Sequence, residues 1–452
     1  MLERKLFGTN GIRFIPKKFS DLEFVFKVSE SVGTYFKHGE LLVGRDGRNS
    51  SPAIINVVSS GLMSSGIDVA EAGLVPTPAL QYCVKALKFR GGVMVTASHN
   101  PPEYNGLKVI GSNGIEIPRE EERKIEKIHF SENIRRAGWK DAGAIREETS
   151  VIKRYIEDIV SKVDSERIKT KSFKVVLDLG NGAQCVAAPY VAEELGCKVI
   201  TLNSIIDGNF PGRGPEPVPE ALTSLSKAVV GSGADFGVAY DGDGDRAIFC
   251  DEKGRIIWGD QSGALLSDYI ASRKSKLTIV TPVSTSQAIE IIAERRGAKV
   301  LRTRVGSVDV SDTMMKEDAM VGFEENGGFI YAPHIAVRDG AMATALMLEL
   351  LSSSGKRLSE EVESRVPLFF QKKIKVHVNK EKVQEIMEKI EKSINGKVEK
   401  IDGLKIWFDE HTWVLVRPSG TEPIIRIFAE SDSRETLEKT VKKFEKLVER
   451  LK

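Results

Sequence analysis

The chain has 452 residues, more than one hydrophobic core can serve, since cores stop growing at roughly 250–300 residues; three or four domains are expected. Lys+Arg number 66 against 64 Asp+Glu, a formal charge of +2, and no segment gathers cations as a nucleic-acid groove or a membrane anchor would, so neither partner is expected. A hydrophobic share of 41% with 29% charged residues excludes wholesale disorder.

Cys83, Cys185, Cys197 and Cys250 form no Cys-x-x-Cys pair, which argues against a disulfide framework or a structural zinc site and fits a reducing compartment. Met1 to Lys18 has no apolar signal core, and no run nears the roughly 18 apolar residues of a membrane span. A soluble cytoplasmic protein is expected, with an oligomer possible.

Apolar runs alternate with helix-period segments, the pattern of α/β layers. In the first block Leu41–Asp46 and Gly92–Thr96 read as strands, with helices at Ala53–Ser65 and Ala79–Leu87. The charged, weakly periodic stretch Arg119–Glu148 places a boundary near Ser150. The second block runs through a helix at Val151–Val163, a strand at Lys174–Leu179, a helix at Ala188–Leu195, a strand at Lys198–Leu202 and the closing segment Asp235–Cys250. The third carries helices at Gln261–Ser272, Ser286–Arg295 and Gly340–Leu351 and a strand at Leu277–Pro282. Beyond Pro367 longer alternating strands, Lys372–Val378, Thr412–Val416 and Ile424–Ala429, accompany helices at Glu381–Ile394 and Arg434–Leu451. The predicted domains are residues 1–150, 151–255 and 256–367, all α/β, and 368–452, smaller and α+β.

The densest chemical signal is Asp241-Gly-Asp243-Gly-Asp245-Arg246, following the apolar strand Phe236–Tyr240. Three carboxylates this close require a cation, and hard oxygens suit Mg²⁺ or Ca²⁺. An EF-hand loop needs Gly where Arg246 stands, and a dinucleotide fingerprint would set three aspartates against a pyrophosphate. Thr96-Ala-Ser98-His99-Asn100-Pro follows a strand, where open α/β sheets place ligands, and it offers Ser98 as a hydroxyl nucleophile. Arg417-Pro-Ser419-Gly420-Thr421-Glu-Pro, with Arg426 beyond, combines a glycine turn, hydroxyls and guanidinium forks, the donor set a phosphate dianion asks for. Glu324 and Asn326, in Phe323-Glu-Glu-Asn-Gly-Gly328, can bracket vicinal hydroxyls. A nucleophile, a hard metal, a phosphate cradle and a polyol loop together describe phosphoryl transfer on a phosphosugar.

With these four motifs in this order, the sequence resembles the α-D-phosphohexomutase superfamily over essentially its whole length. Phe7-Gly-Thr-Asn-Gly-Ile-Arg13 and Gly44-Arg-Asp-Gly-Arg48 also look like its N-terminal motifs. The resemblance implies four domains around a central cleft, three of similar mixed α/β topology and a smaller C-terminal α+β domain. It implies a phosphoryl group on Ser98, Mg²⁺ held by Ser98, Asp241, Asp243 and Asp245, and catalytic roles for His99, Lys108, Arg13 and Arg246. Glu324 and Asn326 would hold the sugar, and Arg417, Ser419, Gly420, Thr421 and Arg426 its phosphate.

The implied activity is an intramolecular phosphotransferase interconverting glucose or mannose 1- and 6-phosphates, with a hexose 1,6-bisphosphate as intermediate and activator. Phosphoglucosamine mutase is the alternative within the superfamily; a non-catalytic sugar-phosphate binder and a phosphatase are the alternatives outside it. Gly328 stands where many members carry His, Phe14 where Gly is usual, and Ser307 where an acidic residue is usual.

Overall fold

The computed structural model describes residues 6–8, 10–394, 396–419 and 423–452. They fall into two compact units, Met1–Ser262 with Asn326–Glu361 and Gly263–Glu325 with Val362–Lys452.

The first unit opens with a sheet of β1 (Ile12–Phe14), β2 (Glu40–Arg45), β3 (Asp68–Leu74), β4 (Gly91–Val95), β5 (Asn105–Gly111) and β6 (Ile145–Glu147), ordered β1-β5-β4-β2-β3-β6. β2, β3, β4 and β6 run parallel, and β5 pairs antiparallel with both β4 and β1. The central strands are near-continuous apolar runs because helices such as Phe19–Phe36 and Ser51–Ser64 pack over them: Val25, Val28 and Val32 share a core with Leu41, Val43, Val93 and Val95.

A second sheet holds β7 (Lys174–Asp178), β8 (Lys198–Leu202), β9 (Phe236–Tyr240), β10 (Ala247–Asp251) and β11 (Ile256–Ile257), ordered β11-β10-β9-β7-β8. β10 returns antiparallel to β9, so Asp241–Arg246 is the turn between them.

In the second unit β12 (Thr278–Pro282) lies parallel between β13 (Lys299–Thr303) and β14 (Val321–Phe323). β15 (Phe329–Tyr331) and β16 (Ile335–Arg338) form an antiparallel pair in the first unit. The helix that follows, Gly340–Ser354, is apolar nearly all round and correspondingly buried, and its N-cap Asp339 accepts from Met342 N at 3.0 Å. The second unit closes with an antiparallel sheet of β17 (Phe370–His377), β18 (Lys397–Glu399), β19 (Leu404–Trp407), β20 (Trp413–Pro418) and β21 (Ile424–Ser431), ordered β17-β21-β20-β19-β18. Helices Val383–Lys392 and Arg434–Leu451 cover this sheet with Ile386, Ile390, Leu437, Val441 and Phe444.

Three elements lie outside the expected ones. Phe19–Phe36 is a long helix. Arg119–Ser131 is helical rather than irregular: Ile125 is buried, and Glu120, Glu121 and Glu122 sit in the first turn, where the helix dipole favours anions. Lys108 lies on a strand, β5, whose opening Asn105-Gly106 is a pair that more often marks a turn. All four cysteines are free, and among the described residues no helix is long and apolar enough to cross a membrane.

Candidate active site

β4 ends at Val95, and the loop beyond it turns on one residue held in the left-handed region, Ser98, at φ 51°. For a serine this conformation costs on the order of 1–3 kcal/mol unless the surroundings fix it. They do. The Ser98 N–H donates to Thr96 Oγ1 at 2.8 Å, and the Thr96 hydroxyl donates to Asp46 Oδ2 at 2.7 Å. Arg48, fully buried and paired with Asp46 at 3.1 Å, donates to the carbonyls of Ser98 (2.7 Å), Asn100 (2.6 Å), Pro101 (2.6 Å) and Tyr104 (3.0 Å). One guanidinium thereby binds four main-chain acceptors of the loop, which sets the serine side chain in place.

That side chain meets the β9–β10 turn. Ser98 Oγ donates to Asp241 Oδ2 at 3.0 Å. The approach needs glycine at 242, because a Cβ there would lie 2.6 Å from the Ser98 carbonyl oxygen. Asp241, Asp243 and Asp245 bring ligand oxygens within 4.8 Å of one another. Lys108, reaching in from β5, donates to Asp243 Oδ2 at 2.9 Å and Asp245 Oδ2 at 3.2 Å. Thr77 Oγ1 also donates to Asp243 Oδ2, at 2.7 Å, and Arg338 from β16 donates to Asp245 Oδ2 at 2.5 Å. On the serine's other side Arg246 donates to His99 Nδ1 at 2.9 Å, His99 Nδ1 lies 3.4 Å from Ser98 Oγ, and Arg13 donates to the Thr96 carbonyl at 2.6 Å.

Protonation follows from these neighbours. Burial, then Asp245 and Asp243, push Asp241 well above the usual carboxylate range. Asp243 moves the other way: against its burial, Lys108 and the Thr77 hydroxyl hold it below that range. Lys108 is raised, Asp243, Asp245 and Glu116 outweighing its burial. His99 is driven well below its ordinary value by burial and then by Arg246, Arg13 and Arg338, so its imidazole is neutral.

The donor set fits a hard divalent cation. Asp243 Oδ1 and Asp245 Oδ1 are buried without a hydrogen-bond partner, in a cluster where burial and then the neighbouring carboxylates already raise the pKa of Asp241.

Ser98, His99, Lys108, Arg13, Arg246 and the three aspartates are thus assembled in the first unit, which also carries Asn326, whose Oδ1 accepts from Gly328 N at 3.2 Å. Glu324, Arg417, Ser419 and Arg426 belong to the second unit. There Arg417 on β20 lies directly opposite Arg426 on β21, a like-charge pair that an anion would relieve. Arg417 Nε also donates to Asp402 Oδ2 at 2.6 Å, and the Ser419 N–H to the Ile424 carbonyl at 3.0 Å. Gly420 and Thr421 lie outside the described residues. Glu324 is buried, and its neighbour Glu325 pairs with Lys373 at 3.2 Å and accepts from Ser284 at 3.0 Å.

Thr77 and Arg338 were not among the expected residues, and Arg48 was noticed only as part of a motif. Arg338 stands at a strand end before a helix, the one signal that could have flagged it.

The four domain families described as phosphoglucomutase/phosphomannomutase alpha/beta/alpha domains I, II and III and C-terminal domain match residues 4–136, 153–254, 258–369 and 374–447. The chain is 44% identical over 453 residues to the phosphoglucosamine/phosphogalactosamine mutase of Sulfurisphaera tokodaii, covering 98% of this chain and 99% of that one. It is also 44% identical over 439 residues to the phosphoglucomutase/phosphomannomutase of Thermococcus kodakarensis, covering 95% of each. Among solved structures, a phosphoglucomutase/phosphomannomutase family protein from Burkholderia thailandensis superposes with a TM-score of 0.89 at 25% identity, over 100% of this chain and 98% of that one.

Proposed function

The chain belongs to the phosphoglucomutase/phosphomannomutase family, and on that premise we propose that it interconverts hexose 1- and 6-phosphates by way of a phosphoserine at Ser98 and a hexose 1,6-bisphosphate. The observation that carries the reading is the Ser98 hydroxyl, held in the left-handed region 3.0 Å from a triad carboxylate, with Lys108 bridging the other two. A binding protein has no need of a nucleophile fixed at this conformational cost.

In the proposed cycle the bond between phosphorus and the Ser98 oxygen breaks as one forms to a sugar hydroxyl oxygen; the hydroxyl loses its proton and the serine oxygen gains one. Lys108, kept as an ammonium by Asp243 and Asp245, is placed to give a proton and take it back. Neutral His99 with Arg13 and Arg246 lines the phosphoryl site from the other side. Asp241, Asp243 and Asp245 would hold Mg²⁺, which supplies charge neutralisation for the phosphoryl group. After the bisphosphate turns over, the other phosphoryl returns to Ser98. Glu324 and Asn326 would hold the sugar hydroxyls, and the Arg417–Arg426 pair with Ser419, Gly420 and Thr421 the phosphate that does not react.

Glucose and mannose phosphates are the proposed substrates. A glucosamine phosphate is the second reading, favoured by the relative named for hexosamine phosphates at the same 44% identity. Phosphorus NMR of the protein with Mg²⁺, a trace of glucose 1,6-bisphosphate and, separately, the 1-phosphates of glucose, mannose and glucosamine tests both. Appearance of 6-phosphate is expected, and relative rates name the sugar. Growth of inorganic phosphate alone would replace the mutase by a phosphatase, and unchanged spectra would leave a binder. Ser98→Ala should abolish the phosphorylated species in the intact mass spectrum.

A further inference from the structure

Asp243 and Asp245 are each tied down through one oxygen, and Asp241 through both, its Oδ2 accepting from Ser98 Oγ at 3.0 Å. Asp241 Oδ1 accepts from the N–H groups of Gly244 (3.0 Å) and Arg246 (3.2 Å), Asp243 Oδ2 from Thr77 and Lys108, and Asp245 Oδ2 from Lys108 and Arg338. Asp243 Oδ1 and Asp245 Oδ1 are left buried and without hydrogen bonds, and Asp241 Oδ2 faces Ser98. A carboxylate held this way presents a single oxygen. Hard cations respond differently to that limit: Mg²⁺ takes about six oxygens, one from each carboxylate, and keeps waters, whereas Ca²⁺ takes about six to eight and commonly grips carboxylates through both oxygens.

Arg338 reaches Asp245 along a particular path. Its side chain crosses Gly328, where a Cβ would stand 2.3 Å from Arg338 Cδ and 2.9 Å from Cγ. Gly328 is not among the positive-φ glycines, so what it contributes is room. Any side chain at 328 would push the guanidinium aside and leave Asp245 Oδ2 to the longer Lys108 contact at 3.2 Å. Arg338 is itself 4% exposed, so the contact is made away from water, where it is hardest to exchange.

We propose that Arg338, seated on Gly328, is a positioning residue that tunes the cation preference of the site: as the closer of the two donors to the second oxygen of Asp245, the other being Lys108, it keeps that carboxylate monodentate and favours Mg²⁺ over Ca²⁺. The inference rests on the triad being the metal centre of the proposed mutase. An ion pair that only balanced charge would influence both cations alike.

Calorimetric titration of Mg²⁺ and Ca²⁺, separately, into the full-length protein with Ser98 unphosphorylated reads the preference without turnover. Arg338→Met and Gly328→Ala, one removing the guanidinium and one displacing it, should both raise Ca²⁺ affinity relative to Mg²⁺ by about tenfold, about the worth of the one charged hydrogen bond lost, because Asp245 Oδ2 then keeps only its longer contact with Lys108. Arg338→Lys, which still donates to Asp245, should stay near the wild-type ratio. If either of the first two variants folds and shifts the two affinities by the same factor, or not at all, the proposal is overturned. Mg²⁺ binding that survives Asp243→Ala would instead remove the metal assignment on which both readings stand.

Discussion

Lys108 and Lys405 are both sealed from water, one in each compact unit, and their surroundings treat the charge in opposite ways. Around Lys108 stand Asp243 at 2.9 Å, Asp245 at 3.2 Å and Glu116 at 3.9 Å, and its pKa is raised despite burial. Around Lys405 stand the faces of Trp413 and Trp407, 4.0 and 5.0 Å from Nζ, and the Val283 carbonyl at 3.0 Å. Burial and then Arg302 lower it to about 7. Ring quadrupoles and one carbonyl soften desolvation without reversing it, whereas carboxylates a hydrogen bond away do reverse it. Burial alone therefore does not predict whether a lysine can serve as a proton donor; the charge of its partners does.

Substitution should separate the two lysines sharply. Lys108→Met is expected to lower turnover by about 10²- to 10⁴-fold, the usual worth of a positioned acid–base group. It should also destabilise the first unit by about 3–5 kcal/mol, because it leaves carboxylates buried without their cation. Steady-state rates and urea melts read the two effects. Equal rates in the variant and the wild type would end the acid–base assignment.

Lys405→Met should do the reverse: the fold is expected to hold or gain about 1–4 kcal/mol, as when a buried charge is replaced by an apolar side chain of similar size. Its pH dependence sharpens the point. With a folded value near 7 against 10.5 for a free lysine, the unfolded chain binds the extra proton between those limits. Wild-type stability should accordingly rise with pH across that window, and Lys405→Met should remove this part of the slope in melts taken at pH 7, 8 and 9. Parallel slopes in the two proteins would mean that Lys405 keeps its proton.

The smallest effect concerns a third buried basic group. His334 lies between Asp158, 2.6 Å from Nδ1, and Asp339, 3.2 Å from Nε2, with the Tyr82 ring stacked on it at 4.9 Å and the Tyr155 hydroxyl donating to Asp339 at 2.7 Å. Against its burial, the two carboxylates raise its pKa. A raised value stabilises the fold fully below the unfolded value near 6.5, and the gain is lost as pH climbs through the folded one. His334→Phe should flatten that decline, by about 1–3 kcal/mol at most, the worth of hydrogen bonds to a charged group. A decline that persists in the variant would assign it to other groups.

What could be read from the chain follows the same division between local and distant causes. The turn at Asp241–Arg246 was legible because its carboxylates, its glycines and the strand before it are neighbours in sequence. Ser98 was legible as the residue after a strand, but not its backbone conformation, which Asp46 and Arg48 impose from another strand end. Thr77 and Arg338 carry no motif; they matter because folding brings them onto Asp243 and Asp245. β5 was hidden for a related reason, since its pairing with β4 and β1 outweighs the turn propensity of Asn105-Gly106.

The grip of Arg48 on the carbonyls of Ser98, Asn100, Pro101 and Tyr104 has a consequence in time as well as in space. A surface loop ordinarily opens on its own and exchanges its amide protons early. Here the segment cannot open until a buried guanidinium lets go of several acceptors together, so its amides should exchange on the slow schedule of the sheet whose strand β2 ends three residues before Arg48. The nucleophile would then keep its orientation through many turnovers, and its loss should come with unfolding of the sheet rather than with gradual loosening of the loop.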